Sequence, residues 1–105
     1  MVREATIRKK ARDILEKEGY VTWCAAKAKY QSSDIFGIFD CVAAKRGTGE
    51  HTESDKLRYI QWTTKEHKSA RMKKILAFFD ENGLWIPCEL WLYDNDKGSF
   101  TIVQI

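Results

Sequence analysis

Ile7, Ala11, Ile14 and Leu15 recur at the three-and-four spacing of one helix face, while Arg8, Lys9, Arg12, Asp13, Glu16 and Lys17 fall mainly elsewhere. The spacing predicts a helix over residues 3–18, closed by Gly19, with Tyr20 supplying the hydrophobic contact that accompanies such a cap. Beyond it the period changes. Val21 to Ala26 opens a strand that runs on to Tyr30, and Gln31-Ser32-Ser33 forms a polar turn. Ile35 to Lys45 is dense in apolar residues and predicts a second, central strand. Arg46 to Lys56 holds two glycines and no large apolar side chain, which predicts an exposed, mobile loop. Leu57 to Thr64 reads as a third strand. Helical spacing returns over Lys65 to Asn82, with Ala70, Ile75, Phe78 and Phe79 as core contacts and Gly83 as the stop. Pro87 to Leu92 and Ser99 to Ile105 are two further strands, joined by a hairpin turn at Asp94-Asn95-Asp96-Lys97-Gly98.

The resulting order is α-β-β-β-α-β-β. With no internal repeat, low-complexity tract or linker, it predicts one α/β (α+β) domain over residues 1–105, a central mixed sheet flanked by helices. A length of 105 residues supports one core and not two, and 44% apolar residues with four tryptophans argue against disorder. No run approaches the roughly 20 apolar residues of a membrane span, and the charged N-terminus has no apolar signal core. Cys24, Cys41 and Cys88 are odd in number, widely spaced and set among apolar neighbours, which fits neither a disulfide framework nor a zinc site. They read as reduced core cysteines of a cytoplasmic protein.

Charge adds a direction to this picture. The net +3 divides into +4 over residues 1–46, −1 over 47–64, +4 over 65–74 and −4 over 75–105. Two basic segments bracket the middle of the chain, a distribution suited either to a polyanion on one face or to two solvated helix faces.

Candidate chemistry lies where polar groups interrupt the apolar strands. Asp40 follows Ile35-Phe36-Gly37-Ile38-Phe39 and precedes Cys41-Val42-Ala43-Ala44, so its carboxylate is expected in a low-dielectric setting. An ionised carboxylate there requires a cation, a metal or a proton. Gln61 and Thr63 repeat the pattern on the next strand, and together with Asp40 they outline the start of a divalent-metal site. Asp34, six residues before Asp40, is a rival acid on the same face of an unbroken strand. Thr64 reads as the N-cap of the second helix, whose first turn, with Lys65, Lys68 and Arg71 beside it, could receive a phosphate. Surface histidine is the bland reading of His67, and His51 in the loop carries no evident chemistry. Arg8, Lys9 and Arg12 form a basic stripe on the first helix. Trp85, Trp91, Tyr93 and Phe100 alternate as core or as a dimer face.

A helix ending Leu-Glu-Lys-Glu-Gly-Tyr (15–20), a Gly-x-x-Asp strand (37–40) and a Tyr-Ile-Gln-x-Thr strand (59–63) together resemble the PD-(D/E)XK nucleases. Within that restriction-endonuclease-like superfamily, the small archaeal and phage Holliday-junction resolvases are the nearest pattern. The resemblance implies a metal-dependent DNA endonuclease, acting on branched or duplex DNA as a homodimer, with Mg2+ or Mn2+ as cofactor. It places Asp40 at the family's metal-binding aspartate, Gln61 at its second acid, Thr63 at its lysine and Glu4 at its helix-borne glutamate. Two positions depart from the pattern. Gln61 offers an oxygen without charge, and Thr63 can orient water but brings no cation. Lys65 or Lys68 would then stand in for the missing lysine, and Arg8, Lys9, Arg12, Lys68 and Arg71 would hold backbone phosphates. The same departures leave open a nuclease-like module that binds nucleic acid or protein without cutting.

Overall fold

A computed structural model describes residues 4–25, 34–46 and 57–105. Helix α1 (Glu4–Lys17) is followed by strands β1 (Tyr20–Cys24), β2 (Cys41–Lys45) and β3 (Leu57–Thr64). A 3-10 turn (Lys65–His67) leads into α2 (Lys68–Asn82), and β4 (Cys88–Asp94) and β5 (Ser99–Gln104) complete the order. The strands form one mixed sheet in sequential order β1-β2-β3-β4-β5. Every neighbouring pair is antiparallel except β3 and β4, which are parallel because α2 carries the chain back across the sheet. The architecture is therefore α+β, with the predicted order of elements.

Strand alternation separates two cores. Ile60 and Trp62 of β3, with Cys41, Ala43, Trp91 and Tyr93, pack against Ile7, Ala11 and Leu15 of α1. Tyr59 belongs to the second cluster, where Ile38, Phe39 and Cys88 meet Ile75 and Phe79 of α2. Because successive strand residues point to opposite faces, the two helices cover opposite sides of the sheet. Gln61 and Thr63, alternating with Ile60 and Trp62, face the α2 side. Gly83 ends α2 in the left-handed conformation (φ 60°) and donates its N–H to the Phe79 carbonyl, the stop its position predicts.

The expected strand Ile35–Lys45 is not continuous. Ile35 and Phe39 bridge each other across a tight turn in which Phe36 and Gly37 both have positive φ (55° and 74°). Gly37 adopts that conformation without a Cβ penalty, and its flexibility lets an otherwise apolar run fold back on itself. The pairing of β2 with β3 starts only at Cys41. Ala70, expected in the core, is exposed, and Ile14 is 37% exposed at the border of the α1 stripe. Of the predicted aromatic cluster, Trp91, Tyr93 and Phe100 meet edge-to-face at 5.2–5.3 Å, whereas Trp85 packs on Phe79 at 4.8 Å on the opposite face and is 58% exposed. The predicted extension of β1 to Tyr30, the turn at 31–33, most of the 46–56 loop and His51 lie outside the described residues.

Candidate active site

Asp40 is fixed by its main chain before its side chain is considered. Its N–H donates to the Ile60 carbonyl at 2.8 Å, and its carbonyl accepts from the Ala25 N–H at 2.9 Å. The residue is thereby held between β1 and β3 although it precedes β2. Its carboxylate turns along β3, where Oδ2 accepts the Trp62 backbone N–H at 2.9 Å. Asp40 is only 4% exposed. A buried carboxylate anchored in this way has its position set by the sheet and not by a surface rotamer.

Around it opens a cavity of about 580 Å3, beyond the carboxyl ends of the parallel pair β3–β4. That is the end of an open sheet where a crossover connection leaves a crevice for ligands. Asp40, Gln61, Thr63 and Glu4 all line it, so the structure brings together four of the residues singled out from the sequence. Asp34 lines it as well. The sharp turn at residues 35–39 carries it there, not the unbroken strand that its spacing implied.

Gln61 is the most informative wall residue. It sits on the central strand of five, not on an edge, and is 1% exposed. Among the described residues its Oε1 has no hydrogen-bond partner, and neither has the indole Nε1 of Trp62 in the same wall. A buried amide oxygen left unsatisfied costs about 1–3 kcal/mol, so its retention calls for a partner beyond the described residues.

The cations of the cavity differ from those expected. Lys65 reaches out to Asp94, 3.4 Å away, and neither it nor Lys68 lines the cavity. Arg71 and Lys74 of α2 do, together with His67. Sequence reading missed Lys74, yet residues 67, 71 and 74 share the four-and-three spacing of one helix face, and that periodicity was the available signal. Arg8, Lys9 and Arg12 lie apart on the outer face of α1 and line a separate groove of about 310 Å3. There Lys9 pairs with Asp13 at 3.1 Å and Arg12 with Glu16 at 3.8 Å, while Arg8 donates to the Cys24 carbonyl at 3.2 Å. The basic stripe is thus largely compensated by acids one turn away.

Carboxylates outnumber permanent cations in the cavity wall, with Glu4, Asp34, Asp40 and Glu66 against Arg71 and Lys74. Glu66 is held below the usual carboxylate range by its own backbone N–H and by the Thr64 hydroxyl. Thr64 makes no side-chain cap to the turn that follows, contrary to the N-cap expectation. A bare phosphate at the start of α2 would face the Glu66 carboxylate.

The donors present fit a hard divalent ion of the Mg2+ or Mn2+ kind. Such ions are commonly held by one or two carboxylates, with water and substrate phosphate completing the shell. Asp40 would supply a carboxylate and Gln61 an amide oxygen that has no partner among the described residues. Among the described residues no group of three or more His, Cys, Asp or Glu side chains is disposed around one ion, so an all-protein cage is not what this wall offers. No protein-family model and no curated protein matches the chain.

Proposed function

We propose that this domain is a nuclease-like, metal-dependent phosphodiesterase acting on DNA, with branched or duplex DNA as substrate. The observation that carries the reading is the meeting of Asp40, Gln61 and Glu4 with Arg71 and Lys74 in one cavity, with the Gln61 Oε1 buried and lacking a hydrogen-bond partner among the described residues. The α-β-β-β-α-β-β order that prompted the resemblance to PD-(D/E)XK nucleases is the order of elements observed, which supports the same reading.

In this account Asp40 and Gln61 hold Mg2+ or Mn2+, with Glu4 close by in the wall. When bound, the ion would supply an activated water and offset charge on the scissile phosphate. Thr63, buried in the same wall, orients a water through its hydroxyl. Arg71 and Lys74 draw the phosphate into a cavity whose acids would otherwise repel it, and Lys68 on the exposed surface of α2 meets flanking phosphates. Lys65 is assigned to the Asp94 contact and not to catalysis. Two symmetric cuts in a branched substrate require two sites, hence a two-fold dimer, and the edge strand β5 with Ile102 44% exposed is the surface assigned to it.

A second reading rests on a specific observation. With a hydroxyl at position 63 and Lys65 engaged elsewhere, no lysine of the expected motif reaches the site, which favours a module that binds DNA without cutting. Incubation of four-way and linear duplexes with the protein in Mg2+ or Mn2+, beside Asp40→Asn, separates the two. Metal-dependent cleavage lost in the variant is the expected result. Metal-stimulated binding without cleavage establishes the binding module instead, and neither binding nor cleavage refutes both.

A further inference from the structure

Cys24 and Cys41 stand directly opposite each other at the open end of the β1–β2 ladder. Directly opposed residues of an antiparallel pair have Cα atoms about 4.5–5.5 Å apart, inside the window of about 4.4–6.8 Å that a disulfide needs. Their sulfurs are 3.1 Å apart and both cysteines are free thiols. Cys41 is fully buried and Cys24 is half-buried, so solvent reaches one member of the pair only. Cys88, the third cysteine, lies in the other core cluster, on the far face of the sheet.

We propose that Cys24 and Cys41 form a thiol–disulfide exchange centre whose reactant is a small-molecule disulfide. Cys24 is the attacking sulfur and Cys41 the resolving one. The Cys24 thiolate displaces one thiolate from the reactant and becomes a mixed disulfide. Cys41 then attacks the Cys24 Sγ, its proton passing to the thiolate that departs from Cys24, which releases the second thiol and closes the Cys24–Cys41 bond. The protein pair is oxidised by two electrons and the reactant disulfide is reduced to two thiols.

The division of roles follows from the surroundings. The 3.1 Å contact with the Cys41 sulfur brings the Cys24 thiol down to about 7 against the pull of burial, and the charges of Arg8 and Arg12 assist. Burial keeps Cys41 out of reach of a reactant from solution, so it can act only on the sulfur beside it, whereas the half-buried Cys24 is the one an external disulfide can meet. This inference is independent of the nuclease reading, though it bears on the same region: Ala25 and Asp40, the next residues along both strands, are joined by the Ala25 N–H to Asp40 carbonyl bond.

The test treats the native protein with oxidised glutathione, blocks remaining thiols by alkylation, and maps all three cysteines by peptide mass spectrometry. The expected product is a Cys24–Cys41 cross-link lacking two hydrogens, reversed by dithiothreitol, with Cys88 alkylatable only after denaturation. Cys41→Ser should halt the reaction at glutathione on Cys24, and Cys24→Ser should abolish it. Should Cys41→Ser fail to fold, the wild-type map still decides. Glutathione retained on Cys24 with Cys41 reduced, or reaction at Cys88 as fast as at Cys24, overturns the proposal.

Discussion

Asp40 has two separable duties, as a hydrogen-bond acceptor for the buried Trp62 N–H and as a negative charge in the cavity. Asp40→Ala removes both and leaves a buried N–H without an acceptor, so a loss of about 1–3 kcal/mol is expected in chemical denaturation. Asp40→Asn can keep the acceptor and removes only the charge. Its stability should lie closer to wild type than that of the alanine variant, while divalent-metal binding falls. Equal destabilisation of the two variants would show that the charge itself holds the fold. Cys24 carries a pH signature at the same scale. Its lowered value means the folded chain is deprotonated there at a pH where an unfolded thiol is not. Alkylation by iodoacetamide should therefore reach half its maximal rate near pH 7 instead of near 9.0, set by the facing groups Cys41, Arg8, Arg12 and Asp40. By linkage, this group's contribution to stability is present above 9.0 and is lost as pH falls through about 7, while the raised Cys41 works in the opposite sense at alkaline pH. An alkylation midpoint near 9.0 would contradict the assignment.

At the level of elements, the parallel pair β3–β4 carries one largely buried charged contact beside its ladder. Arg58 Nε donates to Glu89 Oε2 at 2.7 Å, Glu89 Oε1 accepts the Trp91 indole N–H at 3.0 Å, and the two side chains are 12% and 4% exposed. The Glu89 carboxylate pushes the Arg58 guanidinium up. Removing Glu89 leaves Arg58 with the more exposed Glu18, 3.6 Å away, and leaves the Trp91 indole N–H without its acceptor, so Glu89→Ala should cost about 1–3 kcal/mol by urea denaturation. A loss under 1 kcal/mol would mean the pair is solvated. Elements with a period were legible in the sequence: α1 from its 7-11-15 stripe, β3 from its bounded apolar run, and α2 from its stop at Gly83. The turn at 35–39 was not, because five nearly continuous apolar residues fit a buried strand equally well, and Gly37 was the lone local sign of a break. The Cys24–Cys41 pairing was hidden for the same reason, since strand register depends on how the intervening chain turns. Gln61 and Asp40 were legible as polar interruptions of apolar strands. The contact of Lys65 with Asp94 was not legible, because sequence distance from Thr63 says nothing of the side chain that meets it across the β4 terminus.

For the whole molecule, two sets of cations are placed differently. Lys9 and Arg12 of α1 pair with acids on their own helix, whereas Arg71 and Lys74 face a cavity. DNA affinity should therefore fall with salt with a slope reflecting a small number of phosphates, about −2 to −4 in log–log form. Arg71→Ala should reduce that slope by about 1, while Lys9→Ala combined with Arg12→Ala leaves it nearly unchanged. The reverse ranking, measured by fluorescence anisotropy across salt concentrations, would move the DNA to the outer face of α1. The proposed nuclease activity depends on a cation between the buried Asp40 carboxylate and the Gln61 amide oxygen, which has no partner among the described residues. Anomalous scattering from crystals soaked in Mn2+ addresses this directly. A peak within coordination distance of both Asp40 and Gln61 Oε1 is the predicted result; a fully soaked crystal without manganese at that point would contradict it.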